Sequence, residues 1–141
     1  GQLGLLQGKP PIDLGVHKGR LKPPSKTPNS VSSQAPLYPD HPQRIYASIA
    51  PLPLKGDAGT TLSQIASIIE AMDGEQIVKR EPSYLYVQFT TRIMKYVDDA
   101  EFWFDPAAGV IQVRSASRLV SRDLGVNRER IEFIRQKLGS P

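Results

Sequence analysis

The chain has 141 residues, 39% of them apolar and 23% charged, with no cysteine and a formal charge of +4. That length and composition fit one globular domain and argue against wholesale disorder, while the lack of cysteine removes disulfides, thiolate nucleophiles and cysteine-held zinc. The charge is uneven: residues 1–55 hold seven Lys/Arg against two Asp, a balance of +5, and residues 56–141 hold eleven against twelve acids, a balance of −1. Basicity therefore belongs to the N-terminal segment and not to one structured face, which argues against nucleic acid as a partner.

The start, "GQLGLLQGKPP", is a short apolar stretch running into prolines. It reads either as what remains of an anchor or signal segment or as an ordinary chain boundary. No run approaches the roughly 18 apolar residues of a membrane helix, so no transmembrane segment is expected. Ten of the thirteen prolines lie in residues 1–55, where no helical or strand period persists. This segment is predicted to be an extended basic arm, partly packed on the core through residues such as Leu14, Val16, Leu21 and Val31. Residues 56–141 are predicted to be the α+β domain.

Within that domain, "GDAGTTLSQIASIIEAMDGE" predicts a helix with Thr61 as N-cap, Leu62, Ile65, Ile69 and Met72 on one stripe, and a stop at Asp73-Gly74. Strand patterns follow at "EQIVKRE" and "SYLYVQFTTRI", the latter placing Leu85, Val87 and Phe89 on one face and Tyr84, Tyr86 and Gln88 on the other. "DDAEFWFDPAAGVIQVRSAS" predicts a hairpin with its loop at residues 106–109. That register sets Asp105 opposite Val110, Phe104 opposite Ile111, Phe102 opposite Val113 and Glu101 opposite Arg114. A closing helix is predicted with Asn127 as N-cap and Ile131, Ile134 and Leu138 buried. The fold class is α+β: an antiparallel sheet of about four strands, flanked by two helices on one face, with the extended Pro-rich arm free to cover part of the other.

The alternation places Asp99, Glu101 and Trp103 beside Gln112, Arg114 and Arg118 on the polar face of the sheet. One reading is a cross-strand salt-bridge network on a half-solvated surface, with Arg114 pairing bidentately with Glu101. The other is a polar pocket between sheet and arm that takes an anionic or polar ligand. Adjacent Asp98 and Asp99 point to opposite faces and so cannot readily share a cation, and no metal or cofactor is expected. Both histidines, His17 and His41, sit in the arm, and no nucleophile elbow is present, so no catalytic residue is assigned. The serines of "NSVSS" read as makers of turn and capping hydrogen bonds. Asp123 can accept from Arg118 or Arg130. Arginines in the first turn of the closing helix oppose its dipole, so Arg128 or Arg130 is expected to reach an acidic partner.

Three motifs, "TPNSVSSQA" at 27–35, "YVDDAEF" at 96–102 and "VRSASRLVSRDLGVNRERI" at 113–131, resemble the family catalogued as Domain of Unknown Function 1499, over about Gly15 to Leu138. The chain departs from that pattern at Val120 and Arg122, where glycine and serine are usual, and at Ser30, often cysteine. The resemblance adds Asn29, Ser32, Ser33, Asp123, Asn127 and Arg130 to Asp99, Glu101, Trp103, Arg114 and Arg118 as candidate binding residues. Its members resemble membrane-anchored or exported proteins. The resemblance therefore implies the cell envelope, on the periplasmic face behind an N-terminal anchor, with the cytoplasm as alternative; it implies no activity. The expected function is a non-enzymatic, lipoprotein-like envelope module that binds an anionic or polar small ligand or lipid head groups, or presents Trp103 and Tyr86 to a protein partner. The alternative is a hydrolase using Asp99 or Glu101 with an arginine clamp.

Overall fold

A computed structural model describes residues 8–139, and the placement of apolar side chains explains its layers. In chain order the elements are β1 (Ser30–Ser32), a 3₁₀ turn (Ala35–Leu37), α1 (Arg44–Ala47), α2 (Ala58–Glu70), β2 (Glu75–Glu81), β3 (Tyr84–Thr90), β4 (Val97–Asp105), β5 (Val110–Ser117) and α3 (Val126–Gly139). The strands form one antiparallel sheet in the order β1-β5-β4-β3-β2. Residues 1–7 of the apolar start, read above either as what remains of an anchor or as an ordinary chain boundary, lie outside the described residues. Among those described, no helix is long and apolar enough to cross a membrane.

One face of the sheet presents Leu85, Val87, Phe89, Ala100, Phe102, Ile111 and Val113, all buried. Leu62, Ile65, Ala66 and Ile69 of α2, with Ile131, Ile134 and Leu138 of α3, close over them and complete the core. This is the helical 3.6-residue stripe meeting the two-residue strand alternation. The β4–β5 hairpin has the expected register throughout, from Asp105↔Val110 to Glu101↔Arg114.

Three details differ from the sequence reading. The sheet has five strands, because Ser30–Ser32 of the arm pairs along β5 as an edge strand; three residues are too few to show a period-2 pattern. A short additional helix, α1, lies in the same stretch. The caps are also shifted toward the N-terminus. Asp57, not Thr61, caps α2, its Oδ1 accepting the Thr60 amide at 2.7 Å. Thr61 instead sits buried in the first turn, its hydroxyl bonded to the Asp57 and Lys55 carbonyls. Likewise α3 starts at Val126, and Asp123 accepts the amides of Gly125 at 3.0 Å and Asn127 at 3.2 Å, taking the capping role assigned to Asn127. In both cases a carboxylate upstream outcompetes the residue chosen, since it satisfies orphan amides and also meets the positive helix end.

Gly74, which ends the turn after α2, has φ +70, and a Cβ there would lie 2.2 Å from the Thr90 carbonyl oxygen. That carbonyl is backbone of the neighbouring strand and cannot swing aside. Gly109 in the hairpin loop also has positive φ, +66, but nothing crowds it. Gly109→Ala is therefore expected to cost only the roughly 1–2 kcal/mol of left-handed backbone, and Gly74→Ala clearly more. Urea unfolding of the two variants side by side checks this; equal losses would contradict the close approach.

Candidate functional site

The second face of the sheet carries Tyr84, Tyr86, Asp99, Glu101, Trp103, Gln112 and Arg114. In isolation it would be a solvated polar surface. The arm covers it instead. Asp99, Glu101 and Arg114 are 2%, 1% and 3% exposed. The expectation of a half-solvated network is therefore corrected: this is a buried polar layer, and each charge in it must find partners or bear a large desolvation cost.

The arm supplies them from its backbone. The Gly15 amide donates to Glu101 Oε2 at 2.7 Å. Arg114 donates from Nε at 3.1 Å and Nη2 at 3.0 Å to the Pro23 carbonyl. The expected Glu101–Arg114 ion pair is absent, although the two residues face each other in register. Glu101 Oε2 accepts from Gly15 and from the Tyr84 hydroxyl, and the guanidinium turns to the Pro23 carbonyl. Gly15 has φ +98, backbone that glycine adopts without strain. Arg118, whose Nη1 also donates to the Gly8 carbonyl of the arm, forms the bidentate pair with Asp99, Nε to Oδ2 at 2.8 Å and Nη2 to Oδ1 at 2.9 Å. The Tyr86 hydroxyl donates to the same carboxylate.

The remaining motif residues lie on the helix side. Asp98, pointing away from Asp99 as strand geometry requires, pairs with Arg130 at 2.8 Å, and that guanidinium lies over the Phe89 ring. Asn127, fully buried, accepts from Ser115 and Arg130 and donates to Asn29 O, Ser117 Oγ and Asp123 Oδ2. Asp123 does not meet Arg118 or Arg130; it accepts from Tyr46 as well as from the start of α3. Arg128 reaches the Tyr46 and Ser48 carbonyls rather than an acid. Asn29 donates to the Ser117 and Val120 carbonyls. Ser32 bonds the Gln34 amide, as a turn serine should, while Ser33 reaches across to Gln112 and Val113 of β5. The candidate residues thus form two layers: Asp99, Glu101, Trp103, Arg114 and Arg118 under the arm, and Asn29, Asp123, Asn127 and Arg130 tying β1, β5 and α3 together.

Two cavities open where the arm crosses the polar face. A small one, about 230 Å³, is lined by Lys9, Lys22, Ser25, Asn29, Asp99, Arg114, Ser117 and Arg118, with Pro11 and Ala116 completing its wall. Four cations against one carboxylate line it. A larger cleft of about 500 Å³ lies beside Tyr84, Tyr86 and Trp103. Sequence reasoning missed Lys9, Lys22, Gly15 and Pro23; only the uneven charge of the arm pointed toward the first two.

The three motifs thus sit at the joints of one architecture. A family model described as Protein of unknown function (DUF1499) matches residues 20–138. The chain belongs to that DUF1499 family. No curated protein and no solved structure matches it. In this DUF1499 chain the motif positions are held by packing and hydrogen bonds within the fold, and six of them, Asn29, Asp99, Arg114, Ala116, Ser117 and Arg118, also line the small cavity.

Burial pushes the Glu101 carboxyl above its ordinary value of 4.5, outweighing the bonds from Tyr84 and Gly15 and the charge of Arg114. Its Oε1 has no hydrogen-bond partner among the described residues. Burial also acts to raise Asp123, but bonds from Tyr46, Asn127 and the Gly125 amide prevail and hold it below its ordinary 3.8. The signs are opposite. A raised folded pKa means that the folded state binds more protons, so Glu101 withdraws stability as pH rises above 4.5; Asp123 withdraws it as pH falls below 3.8. Urea titrations between about pH 3 and 8 are expected to show Glu101→Gln gaining on the parent as pH rises, and Asp123→Asn closing its deficit as pH falls. Parallel profiles for parent and variants would contradict both assignments.

Proposed function

We propose that the protein is a non-enzymatic, envelope-associated binding module whose ligand is a small oxyanion held between arm and sheet. One observation carries this reading. Arg114 is buried, has no carboxylate partner among the described residues, and faces a cavity it shares with Lys9, Lys22 and Arg118. Arg118 is neutralised by Asp99, and Lys22 is paired at the surface with Asp13 at 2.9 Å. Arg114 spends two donors of its fork on one carbonyl and leaves its Nη1 without a bond among the described residues. A guanidinium placed this way matches a phosphate, sulfate or carboxylate through charge-assisted bonds. The cavity is smaller than the roughly 300–1,000 Å³ typical of drug-sized ligands, so the anion is a small ion or a terminal group. The envelope setting is supported by the family resemblance and by the cationic arm.

The hydrolase reading retains one supporting observation, the raised pKa of buried Glu101. Against it, Glu101 lines neither the cationic cavity nor the cleft at Trp103, and its Oε2 is sealed by Tyr84 and Gly15.

Thermal unfolding in inorganic phosphate or sulfate, at ionic strength matched with chloride, tests the proposal. A specific anion at a hundred times its Kd stabilises the fold by about 2.7 kcal/mol. The expected result is a rise in Tm with either oxyanion that is lost in Arg114→Leu and weakened in the fold-neutral variants Lys9→Gln and Lys22→Gln. No oxyanion-specific rise in the parent chain, or an equal rise in all variants, would refute it.

A further inference from the structure

The connection between β3 and β4 presents two adjacent large apolar side chains to solvent. Residues 91–96, "TRIMKY", form a closed loop: Thr91 donates its amide to the Tyr96 carbonyl at 2.8 Å, the Lys95 amide returns to Thr91 O at 3.2 Å, and the Tyr96 amide to Thr91 Oγ1 at 2.9 Å. Held by those bonds, the tip presents Ile93, 90% exposed, and Met94, 50% exposed. Lys95 has φ 58, a left-handed conformation that a lysine adopts only at a cost. The tip is thus a formed projection.

Arg92 and Lys95 bracket the two apolar side chains, and both are exposed. Neither has an ion pair among the described residues, although exposed pairs elsewhere do form, as between Lys22 and Asp13. Behind the tip, Ile93 and Met94 share a groove of about 730 Å³ with Val126 and Phe133, themselves 40% and 42% exposed, and with Asp73 and Glu129. Lys137 sits over the Phe133 ring, 5.6 Å from its centroid.

We infer that this loop is a docking tip for an anionic lipid bilayer, with Ile93 and Met94 entering the interfacial layer and Arg92 and Lys95 resting among head groups. Apolar projection flanked by unpaired cations is the pattern that such a surface takes: the apolar side chains leave water, the cations stay at the interface, and anionic lipids add attraction for each of them. The charges that flank the apolar side chains at the tip, Arg92 and Lys95, are both cationic, which suits anionic head groups. A second copy would have to bring its Asp73 or Glu129 to them, and the dimerisation outcome of the test reads that case. The inference rests on the loop and is independent of whether an oxyanion enters the cavity beside Arg114.

The test is sedimentation of the full chain with vesicles of phosphatidylcholine, with or without about 30% phosphatidylglycerol, at low and high salt. The expected result is binding to the anionic vesicles only, weakened by salt, and reduced about tenfold or more in both Ile93→Asp/Met94→Asp and Arg92→Glu/Lys95→Glu. These residues are exposed, and unchanged Tm values establish that the variants remain folded. Three outcomes would overturn the inference. One is no binding by the parent. The second is binding that survives both loop variants, which would assign it to the arm. The third is concentration-dependent dimerisation abolished by Ile93→Asp without vesicle binding, which would assign the surface to a second copy.

Discussion

A guanidinium and a carboxylate buried on one sheet face, each hydrogen-bonded by the backbone of the arm, set the terms for this fold. Arg114 and Glu101 stand opposite each other on β5 and β4, yet Arg114 is held by the Pro23 carbonyl and Glu101 by the Gly15 amide. Removing such groups from water costs several kcal/mol apiece unless hydrogen bonds replace hydration. The arm is therefore a structural layer of the protein. Its prolines suit it to that position, because they fix backbone direction and bring no N–H of their own that burial would leave unpaired. The same constraint explains why the arm's tight points are a glycine with positive φ and a Pro-Pro pair rather than a helix or a strand.

The two layers of motif residues divide the labour. On the helix side, Asn127 and Asp123 gather β1, β5, α1 and α3 through amide, hydroxyl and carboxylate bonds, and Asp98 fixes Arg130 against Phe89. Among the described residues these contacts leave one buried side-chain atom, Asn29 Oδ1, without a partner; the rest interlock, which is how buried polar networks become rigid. On the arm side the pairing is less complete. Glu101 keeps an unpartnered oxygen, and Arg114 keeps donor capacity facing a cationic cavity. The unused donor capacity of Arg114 beside Lys9, Lys22 and Arg118 is what directs attention to that cavity.

The fold was largely legible in the sequence because its strongest signals are periodic. Phe102, Phe104, Ile111 and Val113 could only share a face in one hairpin register, and Asp105-Pro106 with Gly109 fixed the turn. The helix stripes at Leu62, Ile65, Ile69 and at Ile131, Ile134, Leu138 were equally plain. What stayed hidden was non-periodic. A three-residue edge strand at Ser30–Ser32 has no pattern of its own. The caps at Asp57 and Asp123 lost out to nearer, equally plausible residues. The site was half legible: alternation put Asp99, Glu101, Arg114 and Arg118 on one face, but the partner of Arg114 is a main-chain carbonyl, to which no side-chain rule points. Charge pairing across strands therefore suggested an ion pair that the arm's backbone displaces.

Because the arm's hydrogen bonds to the polar face underlie both the burial and the proposed anion cavity, amide hydrogen exchange at Gly15 and Leu21 tests the account most directly. Gly15 donates to buried Glu101, and Leu21 donates to Gln34 Oε1 at 2.8 Å. Both amides are expected to exchange as slowly as those of the β4–β5 ladder, opening only with the domain. Exchange at the rate of an unprotected chain, with the ladder still protected, would show that the arm does not seal the sheet, and the buried Arg114 site would go with it.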